Sequence, residues 1–451
     1  MFILEIFRIM SFPNRLEGYT GKVRKILENV GVDIGDEVEL AIDEHRGIKG
    51  ILMSRYELAD PYYIVIKLPN GYNIGVRYRD NIQVKKLSEV KKPVFRPPEK
   101  THPLPGLPRV TIIGTGGTIA SRIDYRTGAV RPVLTAEDLL SIIPELASIA
   151  DLDASILFSI FSEDMTPNEW SMMAIKVDEY IRRGVDGVVI AHGTDTMGYS
   201  AAALSFALQK PPIPIVFVGA QRSSDRPSSD SATNLIAAVK VAGHASFAEV
   251  CVAMHHGHSD EVIAIHRGTR VRKNHTSSRD AFKSINAEPI AFYKNGEIHI
   301  NRKDLNNRDS NQYIFNPKFS DKAILLKFFP GMNHDILEDI WMKGYRGIII
   351  EGSGLGHVAR RLIPTLEKIL KDGVFVGMTS QCIYGRVNMR VYSTGRDLLK
   401  IGVTPLDDML PETAYVKLSW ALAQTTDIEE TKKIMYTSLA GEIGERSLPW
   451  G

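Results

Sequence analysis

The stretch Thr111-Ile-Ile-Gly-Thr-Gly-Gly-Thr-Ile-Ala-Ser121 decides the fold: an apolar run ends in a turn that Gly116 and Gly117 relieve and that Thr118 closes with a hydroxyl. The same arrangement returns in Val188-Val-Ile-Ala-His-Gly-Thr-Asp-Thr-Met197, where Gly193 precedes Thr194 and Asp195. Short apolar runs bounded by glycine turns read as buried strands, and the segments between them, such as 167–183 and 232–243, carry helical patterning. Strand, glycine turn and helix in alternation predict an α/β domain with a parallel sheet covered by helices on both faces. Ligands in such folds bind at the carboxyl ends of the strands, where both threonine turns fall.

Working outward, strands are predicted at 109–113, 187–191, 215–218 and 249–254, within a larger lobe over 109–320. A smaller lobe over 321–451 is predicted from strands at 323–328, 347–350, 374–378 and 390–393, with helices at 335–343, 358–370, 411–424 and 427–437. A threonine hydroxyl is a weak nucleophile at its ordinary pKa and needs a base, a relay and an oxyanion site. Thr118 and Thr194 offer hydroxyls, and Asp195 with a lysine offers the relay. The glycine turns bring backbone N–H groups close to a substrate, and a helix starting after each turn adds a partial positive field. Either turn alone is also a plain strand-to-helix connection with an ordinary N-cap. Two of them, each after a buried strand, point to a site built for attack on an amide.

Thr115-Gly-Gly-Thr-Ile-Ala-Ser121 and His192-Gly-Thr-Asp-Thr-Met197 resemble the two signature motifs of the bacterial-type L-asparaginases and glutaminases, and the likeness runs from about Pro108 to Thr437. Further family elements follow in order. Tyr125 matches a flap tyrosine, Ser162-Glu-Asp-Met165 matches a Ser-Gln-Asp-Met segment, and the stretch from Gly268 to Ser284 is similar to the framework around a catalytic lysine, at Lys273. The resemblance implies an asparaginase-like, two-lobed parallel-sheet body. It implies Thr118 as first nucleophile, a relay of Thr194, Asp195 and Lys273, and substrate binding by Gly117, Tyr125, Ser162, Glu163 and Gly193. Glu163 departs from the family's glutamine. A carboxylate there either holds the ammonium of an amino-acid substrate or repels its carboxylate, so the choice between glutamine and asparagine stays open.

Ahead of this body, residues 1–88 read as an extension and a small all-β barrel of the SH3 or OB kind, with strands at 36–42, 47–53, 62–68 and 72–78. Asn70-Gly71 is a strong signal for a tight hairpin turn. Residues 89–108 carry Pro93, Pro97, Pro98, Pro103, Pro105 and Pro108 and read as an extended linker. Barrel, linker and body together resemble the GatD family of archaeal glutamyl-tRNA(Gln) amidotransferases. That resemblance implies a glutaminase whose ammonia passes to a GatE partner, where ATP and Mg²⁺ activate tRNA-bound glutamate. It further implies a homodimer flanked by GatE in a heterotetramer, tRNA(Gln) held mainly by the partner, and no cofactor on this chain. A free-standing asparaginase with an accessory domain is the alternative.

Composition narrows the remaining classes. The chain has 451 residues, too many for one ordinary core, with 44% hydrophobic and 24% charged residues. With 55 basic against 53 acidic residues it lacks the basic excess of a dedicated nucleic-acid binder. No apolar run approaches the roughly 20 residues of a membrane span, and Glu5 and Arg8 interrupt the apolar opening, so a cytoplasmic protein is expected. Cys251 and Cys382 are both expected to be buried thiols. His255-His-Gly-His258 lacks further ligands at a zinc spacing and reads as a pocket-edge loop, so no metal is expected. Gly352-Ser-Gly-Leu-Gly356 lacks the glycine spacing of a dinucleotide fingerprint, and the charged segment 359–372 reads as a solvated face.

Overall fold

The computed structural model describes residues 16, 18–43, 46–55, 60–68, 73–79, 82–88, 106–116, 121–123, 130–132, 135–136, 139–140, 143–222, 229–309 and 311–446. The chain forms two compact units, one of 1–97 with 121–133 and 225–228, the other of 98–120, 134–224 and 229–451.

In the first unit, helix α1 (Gly21–Val30) stops at Gly31, whose φ of 69° suits glycine. Five antiparallel strands follow: β1 (Glu37–Asp43), β2 (Arg46–Leu52), β3 (Tyr63–Lys67), β4 (Asn73–Arg77) and β5 (Gln83–Ser88), in the order β4-β3-β2-β1-β5. Alternation turns Val38, Leu40, Ile64 and Ile66 into a core with Leu27 of α1 and Tyr19. The Tyr19 hydroxyl donates to Met53 O at 2.9 Å and accepts from Val65 N at 3.0 Å, and burial pushes its pKa up to about 12. The expected Asn70-Gly71 turn lies outside the described residues; the strands on either side pair Lys67 with Asn73.

The larger sheet of the second unit has eight strands: β6 (Arg109–Gly114), β7 (Asp151–Ile156), β8 (Gly187–Ala191), β9 (Ile215–Val218), β10 (Val250–His255), β11 (Val262–Arg267), β12 (Ala291–Lys294) and β13 (Glu297–Ile300). Their order is β13-β12-β11-β10-β9-β8-β6-β7. From β10 to β7 every pair is parallel, and β10 to β13 form an antiparallel extension. The sheet is thus mixed, where the sequence reading had only its parallel middle. β8, β9 and β10 are buried at every position and read as continuous apolar runs. Edge strand β7 is half-buried and β13 mostly exposed, and polar residues interrupt both, so neither stands out as an apolar run.

Helices α2 (Pro167–Arg182), α3 (Met197–Ala207) and α4 (Ser231–His244) flank this sheet. The second sheet runs β14 (Ala323–Lys327), β15 (Gly347–Gly352), β16 (Phe375–Ser380) and β17 (Thr404–Pro405), all parallel in that order. Its helices are α5 (Asp335–Met342), α6 (Ile363–Lys371), α7 (Ser393–Ile401), α8 (Pro411–Gln424) and α9 (Ile428–Tyr436). The strand expected at 390–393 is not one. Val391 and Tyr392 are exposed there, Ser393 opens α7, and β17 takes the fourth place in the sheet. Cys382 also departs from expectation: it sits exposed in the loop after β16, whereas Cys251 is buried in β10.

One hydrophobic cluster runs through both lobes. It joins Phe206 of α3 and Phe217 of β9 to Ile349 of β15, Phe375 of β16 and Leu418 and Trp420 of α8. Trp170 meets Phe319 and Tyr415 edge-on, with ring centroids 5.7 and 6.2 Å away. Among the described residues no helix is long and apolar enough to cross a membrane.

Candidate active site

β6 and β8 are parallel neighbours, with Ile113 opposite Ile190 and Gly114 opposite Ala191, so their carboxyl-end turns emerge side by side. Thr115 clamps the two ends together: its N–H and its Oγ1 both donate to Ala191 O at 3.0 Å. Gly116 then bends away with a φ of 116°, and a Cβ on it would lie 2.0 Å from Ile160 O. Only glycine fits both requirements. Gly117, Thr118 and Tyr125, three of the expected site residues, lie outside the described residues.

Ser162 and Glu163 begin a single 3-10 turn, Ser162–Asp164, with Ser162 buried and Glu163 exposed. Ser162 packs against the second threonine turn. A Cβ at Gly193 would be 2.8 Å from Ser162 Cβ and 2.9 Å from its Oγ, and Thr196 Oγ1 donates to Ser162 O at 2.5 Å. The structure therefore brings Ser162 and Gly193 into direct contact.

Lys273 ends the first arm of a hairpin that pairs Val271–Lys273 with Phe282–Ser284. Val271 and Phe282 are buried and anchor it. Lys273 Nζ donates to Thr194 Oγ1 at 2.9 Å and to Asp195 Oδ1 at 2.7 Å. The lysine side chain is 13% exposed and that of Asp195 68%, so the ion pair opens to solvent while the contact with Thr194 faces inward.

His192, Thr196 and Gly219 also belong to this constellation, and the sequence reading gave them no role. His192 is buried, and its Nδ1 lies 2.6 Å from Gly193 O. Burial lowers its pKa to about 4, so the ring is neutral and Nδ1–H donates to that carbonyl. Gly219 follows β9, and a Cβ on it would be 2.8 Å from Thr194 Cγ2. The rule that sites gather at carboxyl ends of parallel strands is the signal that points to Gly219.

A glycine-relieved threonine turn with an aspartate and a lysine, at the carboxyl end of a parallel sheet, defines the class of the asparaginase-type amidohydrolases. Residues 109–306 match the N-terminal asparaginase family and residues 322–435 the glutaminase/asparaginase C-terminal domain family. The thermostable L-asparaginase of Thermococcus kodakarensis superimposes with a TM-score of 0.67 at 34% identity, over 74% of this chain and 99% of that one. L-asparaginase I of Vibrio cholerae gives 0.65 at 28% identity, over 75% and 99%. Residues 32–87, outside that shared body, match the GatD N-terminal domain family. The chain is 50% identical over 447 residues to the GatD protein of the glutamyl-tRNA(Gln) amidotransferase of Thermofilum pendens, covering 96% of this chain and 97% of that one. The GatD protein of Pyrococcus abyssi is likewise 50% identical, over 94% and 97%. This chain belongs to the GatD family of glutamyl-tRNA(Gln) amidotransferases.

Proposed function

We propose that this chain is the glutaminase component of a tRNA-dependent amidotransferase, releasing ammonia from glutamine for the conversion of Glu-tRNA(Gln) to Gln-tRNA(Gln). The observation that carries this reading is the contact of Lys273 with both Thr194 and Asp195 in a chain that also bears a GatD N-terminal domain. The solved asparaginases cover 74% to 75% of the chain. A free-standing asparaginase therefore leaves the N-terminal domain without a purpose.

In the proposed chemistry a threonine hydroxyl, Thr118, attacks the side-chain amide carbon of glutamine. The hydroxyl proton leaves as the C–O bond forms, and the amide nitrogen takes up a proton as the C–N bond breaks and ammonia departs. Water then cleaves the resulting ester, returning a proton to the threonine oxygen and giving glutamate. Thr194 and Lys273 carry these protons: as an ammonium the lysine donates to Thr194 Oγ1, and as a free amine it accepts the hydroxyl proton. Asp195 holds the ammonium form in place between turnovers. Substrate binding is assigned to Ser162, Glu163 and Gly193 together with Gly117 and Tyr125.

Ammonia is nucleophilic only while unprotonated, so a source coupled to its acceptor is chemically sensible. We assign the acceptor chemistry to a GatE-like partner that holds ATP, Mg²⁺ and most of the tRNA, in a cytoplasmic heterotetramer built on a homodimer of this chain. The test compares ammonia release from glutamine and asparagine by the purified chain, alone and with a candidate partner and glutamyl-tRNA. Partner-stimulated glutamine hydrolysis is expected; strong asparagine turnover without any partner overturns the reading.

A further inference from the structure

A chain of buried polar contacts lies behind the turn that carries Thr194. It starts at Gly219, whose backbone packs on the Thr194 methyl group so closely that a Cβ would be 2.8 Å from it. Asn234 on α4 donates from Nδ2 to Gly219 O and to Asp230 Oδ2, both at 3.0 Å. Asp230 is fully buried and accepts from the backbone N–H groups of Gln221 at 3.0 Å and Arg222 at 2.9 Å. With its nitrogen committed to two acceptors, Asn234 presents Oδ1 to His255 Nδ1 at 2.6 Å.

His255, fully buried at the end of β10, turns Nε2 to Asp260 Oδ1 at 3.0 Å. Asp260 in turn takes a hydrogen bond from Arg279, whose Nη1 donates to His258 O at 2.9 Å. Arg279 lies in the loop of the hairpin that presents Lys273, and Lys273 Nζ returns to Thr194 Oγ1 at 2.9 Å. The contacts therefore run from Thr194 through Gly219, Asn234, His255 and Asp260 to Arg279, and the hairpin's own chain completes the circuit to Lys273.

Both ring nitrogens of His255 face oxygen acceptors, which a neutral imidazole with one N–H cannot satisfy together. Asp260 and Asp230 favour a second proton on the ring, while burial and Arg279 oppose it, burial most strongly. A half-satisfied buried ring is costly, and it is kept where it spans the two arms of the site. Lys273–Asp195 and Arg279–Asp260 both open to solvent on the aspartate side, at 68% and 62% exposure, so neither ion pair contributes much by itself.

We propose that His255, gripped by Asn234 and Asp260, is a positioning residue that fixes the hairpin carrying Lys273 against the turn carrying Thr194. This rests on the assignment of Thr194 and Lys273 to the proton relay. The test assays glutamine hydrolysis by the full chain in its partner complex, for His255→Gln, Arg279→Ala, Arg279→Lys and Lys273→Ala, together with thermal unfolding of each. His255→Gln and Arg279→Ala are expected to lower kcat by about 10- to 100-fold, as a displacement near 1 Å does, with KM changed far less. They are also expected to displace the pH limb that reports the relay, and Arg279→Lys recovers part of the rate. Wild-type kcat and an unmoved pH profile in both variants, or a rate loss that only tracks the unfolded fraction, overturn the proposal. Lys273→Ala separates the two readings: if it keeps full turnover the relay assignment itself falls, and if it is inactive while the other variants are normal, only the role of His255 falls.

Discussion

Arg270 and Asp408, 138 positions apart, form an ion pair sealed from solvent, with Nη1 3.1 Å from Oδ2 and side-chain exposures of 3% and 0%. The same aspartate accepts from Gly444 N at 2.9 Å, and Arg270 Nε donates to Gly441 O at 2.9 Å. Thr269 Oγ1 adds a bond to Ala440 O at 2.9 Å. The segment after α9 thus ties down the turn that leads, three residues after Arg270, to Lys273. Removing one partner of such a pair strands the other charge. Asp408→Ala is expected to cost about 3–5 kcal/mol, read from the urea midpoint at constant slope. A loss under about 1 kcal/mol means that water or a neighbour replaces the carboxylate.

For the relay, Lys273→Ala and Thr194→Val are each expected to lower the rate of ammonia release by about 10²- to 10⁴-fold while leaving thermal unfolding close to that of the parent chain. Thr194 lies in the turn after β8 and Lys273 at the end of a hairpin strand, both outside the main hydrophobic cluster, so their loss opens no cavity in it. Full turnover in either variant removes it from the mechanism.

Gly193→Ala puts a methyl group 2.8 Å from Ser162 Cβ, inside van der Waals contact. Relief requires that Ser162 or the Thr194 turn shift, at about 1–3 kcal/mol. A higher KM for the amide substrate together with a lower unfolding temperature is expected. An unchanged KM shows that Ser162 does not line the pocket.

Acid lability follows from two buried histidines. Burial lowers the pKa of His192 from 6.5 to about 4 and that of His266 to about 3. Below pH 6.5 the unfolded chain therefore binds protons that the native one refuses. Their contribution to stability is complete above that pH and is lost as pH falls toward 4, at up to about 1.4 kcal/mol per pH unit for each ring. Unfolding free energies measured from pH 7 to 4.5 are expected to fall, and His266→Gln to reduce the slope by about one proton. An unaltered slope in that variant assigns the lability to other groups.

Thiol reactivity distinguishes the two cysteines. Cys382 is exposed, whereas Cys251 is buried and its pKa is raised by burial first and by Glu249 second. One equivalent of an aromatic disulfide reagent is expected to react with the native chain and two after unfolding. Two fast equivalents in the native state mean that β10 opens.

The parallel middle of the large sheet was legible because β8, β9 and β10 are buried on both faces and must be apolar throughout. Strands β7 and β13 were not, since an edge that meets water has no such constraint. Cys382 was misread for a related reason. A short apolar run, Phe375–Ser380, ends just before it, and nothing local shows that the chain leaves the core there.

By itself the sequence determined the α/β architecture, the β domain ahead of it, and the placing of two threonine turns at strand ends, because burial and glycine geometry act over a few neighbouring residues. Lys273 entered that reading only through family resemblance, since no local pattern joins it to Thr194 across 79 positions. Only the tertiary structure decided that contact, the packing of Gly219 on Thr194, and the use of His255 as a bridge. Those are relations between segments brought together by the sheet, and one hydrogen bond between distant segments leaves no periodic trace in a chain.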